Sequence, residues 1–285
     1  MTQHNIEKLR RLLQITARTV NAMGTITEVW TREPVAAFTF DGGPDPEWTP
    51  RFLDVLEKRG TRATFFMIGK CAQEHPGLVR QVAQAGHAIG NHSWDHPSFP
   101  LISSRERRWQ IRACAEVLAP YGQRLFRPPY GHQSVASRLD LLLLGYQVVT
   151  WNVHAFDWTD QDAGWMADRL ASQIRPGCII LLHEAVCVER HLSRWPELEA
   201  LDMLLEKVGR RFRFIALPEL FRYGPPQKRN WYNKPNLDLL NRLRTQATEG
   251  FRRDYGACTA LPPEAPSASR GEQYPRDGAF QHFKN

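Results

Sequence analysis

The sequence predicts an α/β protein built around a closed or nearly closed parallel sheet, and three observations support this fold class. Short apolar runs alternate with helix-like segments of about 12–18 residues, an alternation typical of parallel α/β folds. Ionisable residues follow several of these runs. In a parallel barrel the catalytic residues lie at this position, the carboxyl ends of the strands. The chain has 285 residues, 42% of them hydrophobic and 24% charged, and this composition excludes wholly disordered, collagen-like and small disulfide-rich proteins.

From Val35 onward, seven apolar runs predict strands, and six segments between the runs predict helices. The predicted strands are Val35–Phe40, Ala63–Ile68, His87–His92, Leu125–Arg127, Tyr146–Trp151, Cys178–His183 and Phe212–Ala216. The predicted helices are Thr49–Arg59, Gln73–Ala85, Ser103–Leu118, Ser134–Leu144, Ala163–Ile174 and Pro196–Val208. Several of these helices open with Ser, Thr or Pro, which favour helix N-termini. The central domain is therefore expected to span residues 33–221.

The first 32 residues are expected to form an amphipathic N-terminal helix and a linker. The apolar residues that recur there at helical spacing are Ile6, Leu9, Leu13 and Val20. Basic side chains occupy many of the remaining positions of this segment, so two interpretations stay open. The helix packs on the domain, or it is a peripheral anchor on anionic lipid.

The last part of the chain, residues 222–285, is expected to be a basic extension. It contains a candidate short helix around Leu237–Arg244. Residues 258–285 mix Pro, Ser, Gly and charged residues with almost no apolar periodicity. This composition predicts disorder, because such a segment cannot bury enough apolar surface to offset the loss of chain entropy.

The net charge of +7 is unevenly distributed along the chain. Residues 1–32 carry a net charge of +3, residues 33–220 carry −1, and residues 221–285 carry +5. A nucleic-acid-binding domain would carry its Lys and Arg on the folded face that meets phosphates. The near-neutral central block therefore predicts that the protein does not bind nucleic acid.

The cysteines and the N-terminus predict a cytoplasmic protein. The five cysteines include no CxxC pair, and most lie within apolar patterns, where reduced thiols pack as small hydrophobes. The first 24 residues lack the apolar stretch and cleavage site of a secretory signal. No apolar run approaches the roughly 20 residues that a membrane-spanning helix needs. The basic amphipathic start adds a second expectation, a location peripheral to the inner face of the membrane.

Six ionisable residues lie at or just after the carboxyl ends of five predicted strands. They are Asp41, His92, His96, Arg127, Asp157 and His183. Because the carboxyl ends of parallel strands meet on one face of a barrel, these side chains are expected to converge. Each has a structural alternative, such as a turn-capping Asp or a His that is bonded to a backbone carbonyl. Their joint placement favours a catalytic site.

Five short motifs around these residues resemble those of the polysaccharide deacetylase family, also called the NodB-homology or carbohydrate esterase four family. In chain order they are Thr39–Pro46 with Trp48–Pro50 and Ala63–Phe66, then His92–His96, Arg127–Gly131, Trp151–Val153 with Asp157–Trp158, and Leu181–His183. The resemblance covers roughly residues 35–220. It implies a distorted (β/α)7 barrel that removes an acetyl group from an N-acetylated sugar with the help of a divalent metal.

The resemblance also implies roles for individual residues. Asp41 matches the general base that takes a proton from the attacking water, and Arg127 matches the arginine that keeps this base ionised. His183 matches the general acid, with Asp157 as the carboxylate that raises its pKa. The remaining matches concern the acetyl group. They are the backbone amide of Tyr130 as oxyanion donor, and Leu181 and Trp158 as walls of the pocket around the acetyl methyl.

The metal site is where this chain departs from the family pattern. His92 and His96 match two ligands of zinc or a similar ion, but the family has a second Asp directly after the base and this chain has Gly42. Three outcomes stay open. In the first, the missing ligand is replaced by Asp41, a water molecule or His154. In the second, the enzyme hydrolyses amides without metal, and in the third, the chain is an inactive relative that binds a glycan or a membrane.

The expected substrate is an N-acetylated sugar inside the cell, such as a lipid-linked amino sugar or an oligosaccharide. Intact extracellular polymers fit less well, because no secretion signal is visible in this sequence. The indole rings of Trp94, Trp158 and Trp165 are candidate stacking surfaces for sugar rings.

Overall fold

A computed structural model of the chain describes residues 24–159, 161–185 and 193–229. These residues lie within one compact unit. The expected N-terminal helix, the candidate helix around Leu237–Arg244 and the expected disorder of residues 258–285 fall outside the described residues, and they stay predictions.

Seven parallel strands form a curled central sheet, and the sequence predicts six of them. The described strands are β1 (Thr25–Val29), β2 (Val35–Asp41), β3 (Ala63–Met67), β4 (Ala88–Asn91), β5 (Gly122–Phe126), β6 (Gln147–Val148), β7 (Val153–His154), β8 (Ile179–His183), β9 (Arg213–Phe214) and β10 (Pro226–Arg229). Their order in the sheet is β6-β5-β4-β3-β2-β8-β7, and β9 pairs in parallel with the start of β2. The α/β barrel class is confirmed.

Three strands were not predicted from the sequence, namely β1, β7 and β10. The two residues of β7 are too few for a periodic pattern, and the Pro-Gln-Lys-Arg sequence of β10 has no apolar alternation. β1 and β10 pair with each other in antiparallel fashion. Ile26 also bridges to Val149 and Glu28 to Cys178, so β1 spans the gap between the regions of β6 and β8. The folded domain therefore includes β1 and β10, which lie outside the expected limits of 33–221.

Helices connect the strands and cover the outside of the sheet. They are α1 (Trp48–Lys58), α2 (Gly69–Glu74), α3 (Pro76–Gln84), α4 (Ser104–Leu118), α5 (Val135–Leu143), α6 (Ala163–Gln173), α7 (Trp195–Val208) and α8 (Leu217–Leu220), with 3-10 turns at Phe99–Leu101 and Pro129–Gly131. The single helix predicted for Gln73–Ala85 is wrong. Pro76 begins a new helix there, because proline has no N–H to continue the preceding one. No helix among the described residues has the length and apolarity needed to cross a bilayer.

The β2 strand lies at the centre of the sheet, and all seven of its residues are buried. Burial on both faces explains why its sequence is a nearly continuous apolar run. Phe38 and Phe40 pack in the core beneath helices α1 and α7. This packing holds the carboxyl end of β2, and therefore Asp41, at a defined position.

The cysteines differ in part from the expectation of a reducing compartment. Cys114 and Cys178 are buried and free, as expected, and burial raises the pKa of Cys114 to about 12 and that of Cys178 to about 11. Cys71, in contrast, is disulfide-bonded.

Candidate active site

Asp41 and Arg127 form a buried ion pair at the carboxyl edge of the sheet. Asp41 ends β2, and Arg127 directly follows β5. The Arg127 guanidinium donates to Asp41 Oδ1 at 2.8 Å and to the Thr39 hydroxyl at 2.7 Å. Both members of the pair are buried, so the carboxylate is held in one orientation by charged hydrogen bonds. Thr39 begins the first motif but was given no role from the sequence, and its hydroxyl completes the anchor of Arg127.

The electrostatics of Asp41 differ from the simple expectation that Arg127 lowers its pKa. Burial raises the pKa of Asp41, and this effect exceeds the lowering by Arg127 and by His183, so the net pKa lies above the ordinary value. A base whose pKa is raised toward neutrality accepts a proton more readily than an ordinary Asp. The environment therefore suits Asp41 to general-base chemistry.

His183 and Asp157 form a second pair, directly beside the first. His183 ends β8, and in the parallel register of β2 and β8 it is the partner of Asp41. The Asp157 carboxylate accepts a hydrogen bond from His183 Nδ1 at 3.0 Å and from the His183 backbone amide at 2.6 Å. With Nδ1 engaged, Nε2 is the nitrogen left for a reacting group. The Asp41 and His183 side chains thus project from adjacent positions on neighbouring strands.

The pKa of His183 is shifted upward. Burial lowers the pKa of this imidazole, but the Asp157 and Asp41 carboxylates raise it by more in total, so the net pKa lies above 6.5. The imidazole is therefore protonated over a wider range than an ordinary histidine, which suits a general acid. The direction agrees with the expectation that Asp157 raises this pKa.

His92 and His96 lie close together on the other side of Asp41. Their rings are 4.9 Å apart, and His92 Nε2 lies 3.7 Å from Asp41 Oδ2. His92 Nδ1 lies 2.8 Å from the Arg127 carbonyl oxygen, which can only accept, so this nitrogen carries the proton. Burial lowers the pKa of His92 to about 3 and that of His96 well below 6.5. Both imidazoles are neutral and hence in the form that binds metals.

A three-ligand metal site of the kind that the resemblance implies does not fit the residues present. Gly42 has no donor atom, and among the described residues no group of three or more His, Cys, Asp or Glu side chains has the geometry to hold a metal ion. Of the proposed substitutes, Asp41 is the one beside His92. His154 lies on β7, separated from β4 by three strands in the sheet order, and its ring packs on Phe156 and Trp158.

The expected acetyl-pocket residues surround the two pairs. Tyr130 lies in the 3-10 turn after β5 with φ of 57°, and its ring packs against His96 at 4.5 Å. Leu181 is buried in β8 two residues before His183, and so on the same face of the strand. The ring of Trp158 is 6.0 Å from that of His183 and is half exposed. The structure thus brings all nine predicted site residues to one edge of the sheet.

Glu184 is a residue that the sequence analysis missed. It follows His183 and is fully buried, and no side chain among the described residues hydrogen-bonds to its carboxylate oxygens. A Cβ at Gly43 would lie 2.1 Å from Glu184 Oε1, so any larger residue at position 43 would require the Glu184 carboxylate to move. Burial raises the pKa of Glu184 well above 4.5, and the Asp41 and Asp45 carboxylates raise it further. An acidic residue directly after an apolar strand was the signal available in the sequence.

Replacing Glu184 with Gln is expected to stabilise the protein increasingly as the pH rises. Glu184 stays protonated in the folded state above the pH at which the unfolded chain loses this proton, so wild-type stability falls as the pH rises through that interval. Gln does not titrate, so the variant lacks this loss of stability with rising pH. Thermal unfolding at about pH 5 and about pH 8 should show a Tm difference that grows with pH, with the exposed Glu116→Gln as control. A pH-independent difference would contradict a neutral Glu184.

Comparison with known proteins supports the family. The polysaccharide deacetylase profile matches residues 28–149. A chitooligosaccharide deacetylase of Azorhizobium caulinodans is 33% identical over 180 residues, which cover 62% of this chain and 85% of that protein. A crystal structure of a peptidoglycan N-acetylglucosamine deacetylase superposes with a TM-score of 0.65 at 30% identity, covering 70% of this chain and 94% of that one. A mutant of a family pseudoenzyme, described as having restored enzymatic activity, matches with a TM-score of 0.62 at 26% identity, covering 69% and 70%.

Proposed function

This chain belongs to the polysaccharide deacetylase family, and we propose that it hydrolyses the acetamide of an N-acetylated amino sugar, with Asp41 as general base and His183 as general acid. The reaction breaks a carbon–nitrogen bond outside a peptide and releases acetate and a free amine.

One observation carries this proposal, namely the adjacency of two buried pairs, one that holds a carboxylate and one that holds an imidazole. Asp41 and His183 are register partners on neighbouring strands. Arg127 holds the first of them and Asp157 the second. A carboxylate that accepts a proton and an imidazolium that donates one are the two groups that amide hydrolysis requires, and here they converge on one place.

The steps follow from what these side chains do. Asp41 removes a proton from a water molecule while the oxygen of that water attacks the carbonyl carbon of the acetamide. The oxygen of the former carbonyl then carries negative charge, and the backbone amide of Tyr130 is the proposed donor to it. The carbon–nitrogen bond breaks as His183 gives its proton to the departing nitrogen. No step is assigned to a metal, because the residues present do not complete the family's three-ligand site.

Two observations support the proposed substrate class, namely the named activities of the relatives and an exposed aromatic ring at the rim of the site. The named activities of the matched proteins concern peptidoglycan N-acetylglucosamine and chitooligosaccharides. The half-exposed Trp158 beside His183 offers a stacking surface for a sugar ring. We therefore propose an N-acetylglucosamine unit within a saccharide, including a lipid-linked one, as the group that enters the site.

The direct test is acetate and amine release from N-acetylated chitotetraose and from a soluble peptidoglycan fragment, each with and without added zinc. The proposal expects turnover of at least one substrate. No release under any of these conditions, from protein whose folding is verified by circular dichroism, would overturn it in favour of an inactive relative.

Replacing Asp157 with Asn is expected to shift the alkaline limb of the kcat/KM profile to lower pH. The general acid must be protonated, so activity falls as the pH rises through the pKa of His183, which Asp157 raises. The Asn variant lacks this carboxylate. Burial, which lowers the pKa of His183, is then no longer opposed by Asp157. Rate measurements from about pH 5 to about pH 10 provide the test. An unchanged limb would mean that His183 is not the group titrating there.

A second candidate function is glycan binding without turnover. Two observations favour it: Gly42 lacks the family's metal-binding carboxylate, and a pseudoenzyme belongs to the structural relatives. This alternative predicts saccharide binding that survives Asp41→Asn unchanged. Calorimetric titration with chitotetraose, beside the assay above, distinguishes the two functions.

The cytoplasmic location stays a proposal. The disulfide of Cys71 opposes it, because disulfides persist mainly in oxidising compartments. Trapping of free thiols with a mass-tagged maleimide in intact cells tests it, since a cytoplasmic protein should show Cys71 reduced.

A further inference from the structure

We propose that the outer face of helix α5, together with a row of arginines on α4, is a binding surface for an anionic lipid bilayer. We call it the α5 face. Its apolar members are Leu101, Val135, Leu139 and Leu143, which are exposed by 41%, 55%, 44% and 71%. This proposal does not depend on the proposed catalytic function.

The apolar members form one continuous stripe. Val135, Leu139 and Leu143 follow each other at four-residue steps and therefore lie along one side of α5. Leu101 belongs to the 3-10 turn that packs against the same helix. Surface helices normally expose polar residues on their outer side, so an outer side made only of Val, Ala and Leu requires an explanation.

No charged side chain interrupts the stripe on α5. The two charged residues of this helix, Arg138 and Asp140, are both buried. Asp140 accepts hydrogen bonds from Arg107 at 2.7 Å and from Arg108 at 2.8 Å on the neighbouring helix α4. The only carboxylate of α5 is therefore already neutralised, and the outer face of this helix carries no negative charge.

Positive charge borders the stripe. Arg105, Arg108 and Arg112 recur at three- and four-residue steps on α4, and the Arg108–Asp140 pair places this row beside α5. Within the described residues, neither Arg105 nor Arg112 takes part in an ion pair, and both are exposed. An apolar stripe flanked by basic side chains is the pattern of proteins that lie on anionic membranes, where acyl chains receive the apolar groups and phosphates receive the arginines.

A second copy of the chain fits this surface less well than lipid does. A twofold dimer would place the same patch on both subunits, and the α5 face with its arginine row contains no acidic side chain that could pair with the partner's arginines. Four apolar side chains also make a smaller surface than the roughly 800 Å² per partner of a stable interface. The charge complementarity therefore favours an anionic bilayer.

The surface is close along the chain to residues of the candidate active site. α5 begins four residues after Gly131, in the turn that contains Tyr130, and Leu101 lies five residues after His96. If the proposed function holds, the chain segments that lead into the α5 face also supply residues to the site that receives an amino sugar.

Vesicle co-sedimentation of the full chain tests the proposal. Wild type should bind vesicles of phosphatidylcholine with phosphatidylglycerol, and bind those of phosphatidylcholine alone far less. The double variant Leu139→Ser, Leu143→Ser should lower the partition coefficient by at least about tenfold. Arg105→Gln with Arg112→Gln should weaken binding and its dependence on salt. Met203→Ser, which replaces an exposed apolar residue on α7, is the matched control and should bind as wild type does.

Three results would overturn the proposal. Wild type that does not bind the anionic vesicles excludes a lipid surface. Equal binding of wild type and of the Leu139→Ser, Leu143→Ser variant assigns the binding to another part of the chain. A dimer in solution that the same variant converts to monomer assigns the face to a second copy. Thermal unfolding of each variant verifies that it is folded in the assay.

Discussion

Asp41→Asn is expected to lower kcat for acetamide hydrolysis by at least about a hundredfold. Asn is close to Asp in size, and its oxygen can still accept the hydrogen bond from Arg127 that Asp41 accepts at 2.8 Å. It cannot take a proton from water, so the attacking nucleophile is no longer activated. Steady-state amine release from N-acetylated chitotetraose, at the optimum pH of the wild type, measures the effect.

Folding must be separated from chemistry in this experiment, because Asn leaves the charge of buried Arg127 without its counter-ion. The Tm of the variant is therefore measured in parallel, and the exposed Asp54→Asn is the control for the type of substitution. His183→Ala should cause a loss of similar size through the missing proton donor. Wild-type activity in a folded Asp41→Asn or His183→Ala variant would contradict the proposed mechanism.

Gly42→Asp is expected to strengthen zinc binding by at least about thirtyfold, because it adds a carboxylate next to two neutral imidazoles. The wild type supplies His92 and His96 but no third ligand at position 42. The substitution has a structural cost of about 1–3 kcal/mol, since Gly42 has φ of 102°, a conformation that side chains rarely adopt. Calorimetric titration with zinc and the Tm without metal measure the two effects.

The double variant Gly42→Asp, His92→Ala is the control, because it keeps the new carboxylate and removes one imidazole. Its affinity should return to that of the wild type or below. Micromolar or tighter binding by the wild type, lost in His92→Ala alone, would contradict the expectation. That result would show that a substitute ligand is already in place, and Asp41, with Oδ2 3.7 Å from His92 Nε2, is the nearest candidate.

Local pattern was enough to predict most of the fold. The apolar runs that become β2, β3 and β8 are buried on both faces, and such strands are visible in a sequence because nearly every residue must be apolar. Strands that pair at the edges carry no such constraint. This is why β7 and β10 were not predicted, and why the domain extends beyond its expected limits.

The members of the candidate site could be predicted, and so could the direction of the pKa shift of His183, but the direction of the pKa shift of Asp41 could not. Asp41 and His183 follow apolar runs, so their convergence is a consequence of parallel pairing. The pKa of Asp41 does not follow from parallel pairing. It depends on the balance between burial of the carboxylate, which raises the pKa, and Arg127, which lowers it. Glu184 was missed for the same reason, since its burial beside Gly43 depends on packing between distant segments.

The sequence by itself determined the fold class, the family and the set of side chains at the edge of the sheet, because these follow from periodicity and from short motifs. The tertiary structure alone decided how deeply these side chains are buried and in which direction burial shifts their pKa values. It raises the net pKa of Asp41, keeps both imidazoles of His92 and His96 neutral, and leaves the apolar outer side of α5 exposed. The physical reason is that burial and hydrogen bonding between residues remote in the chain set charge and exposure, and no local pattern records them.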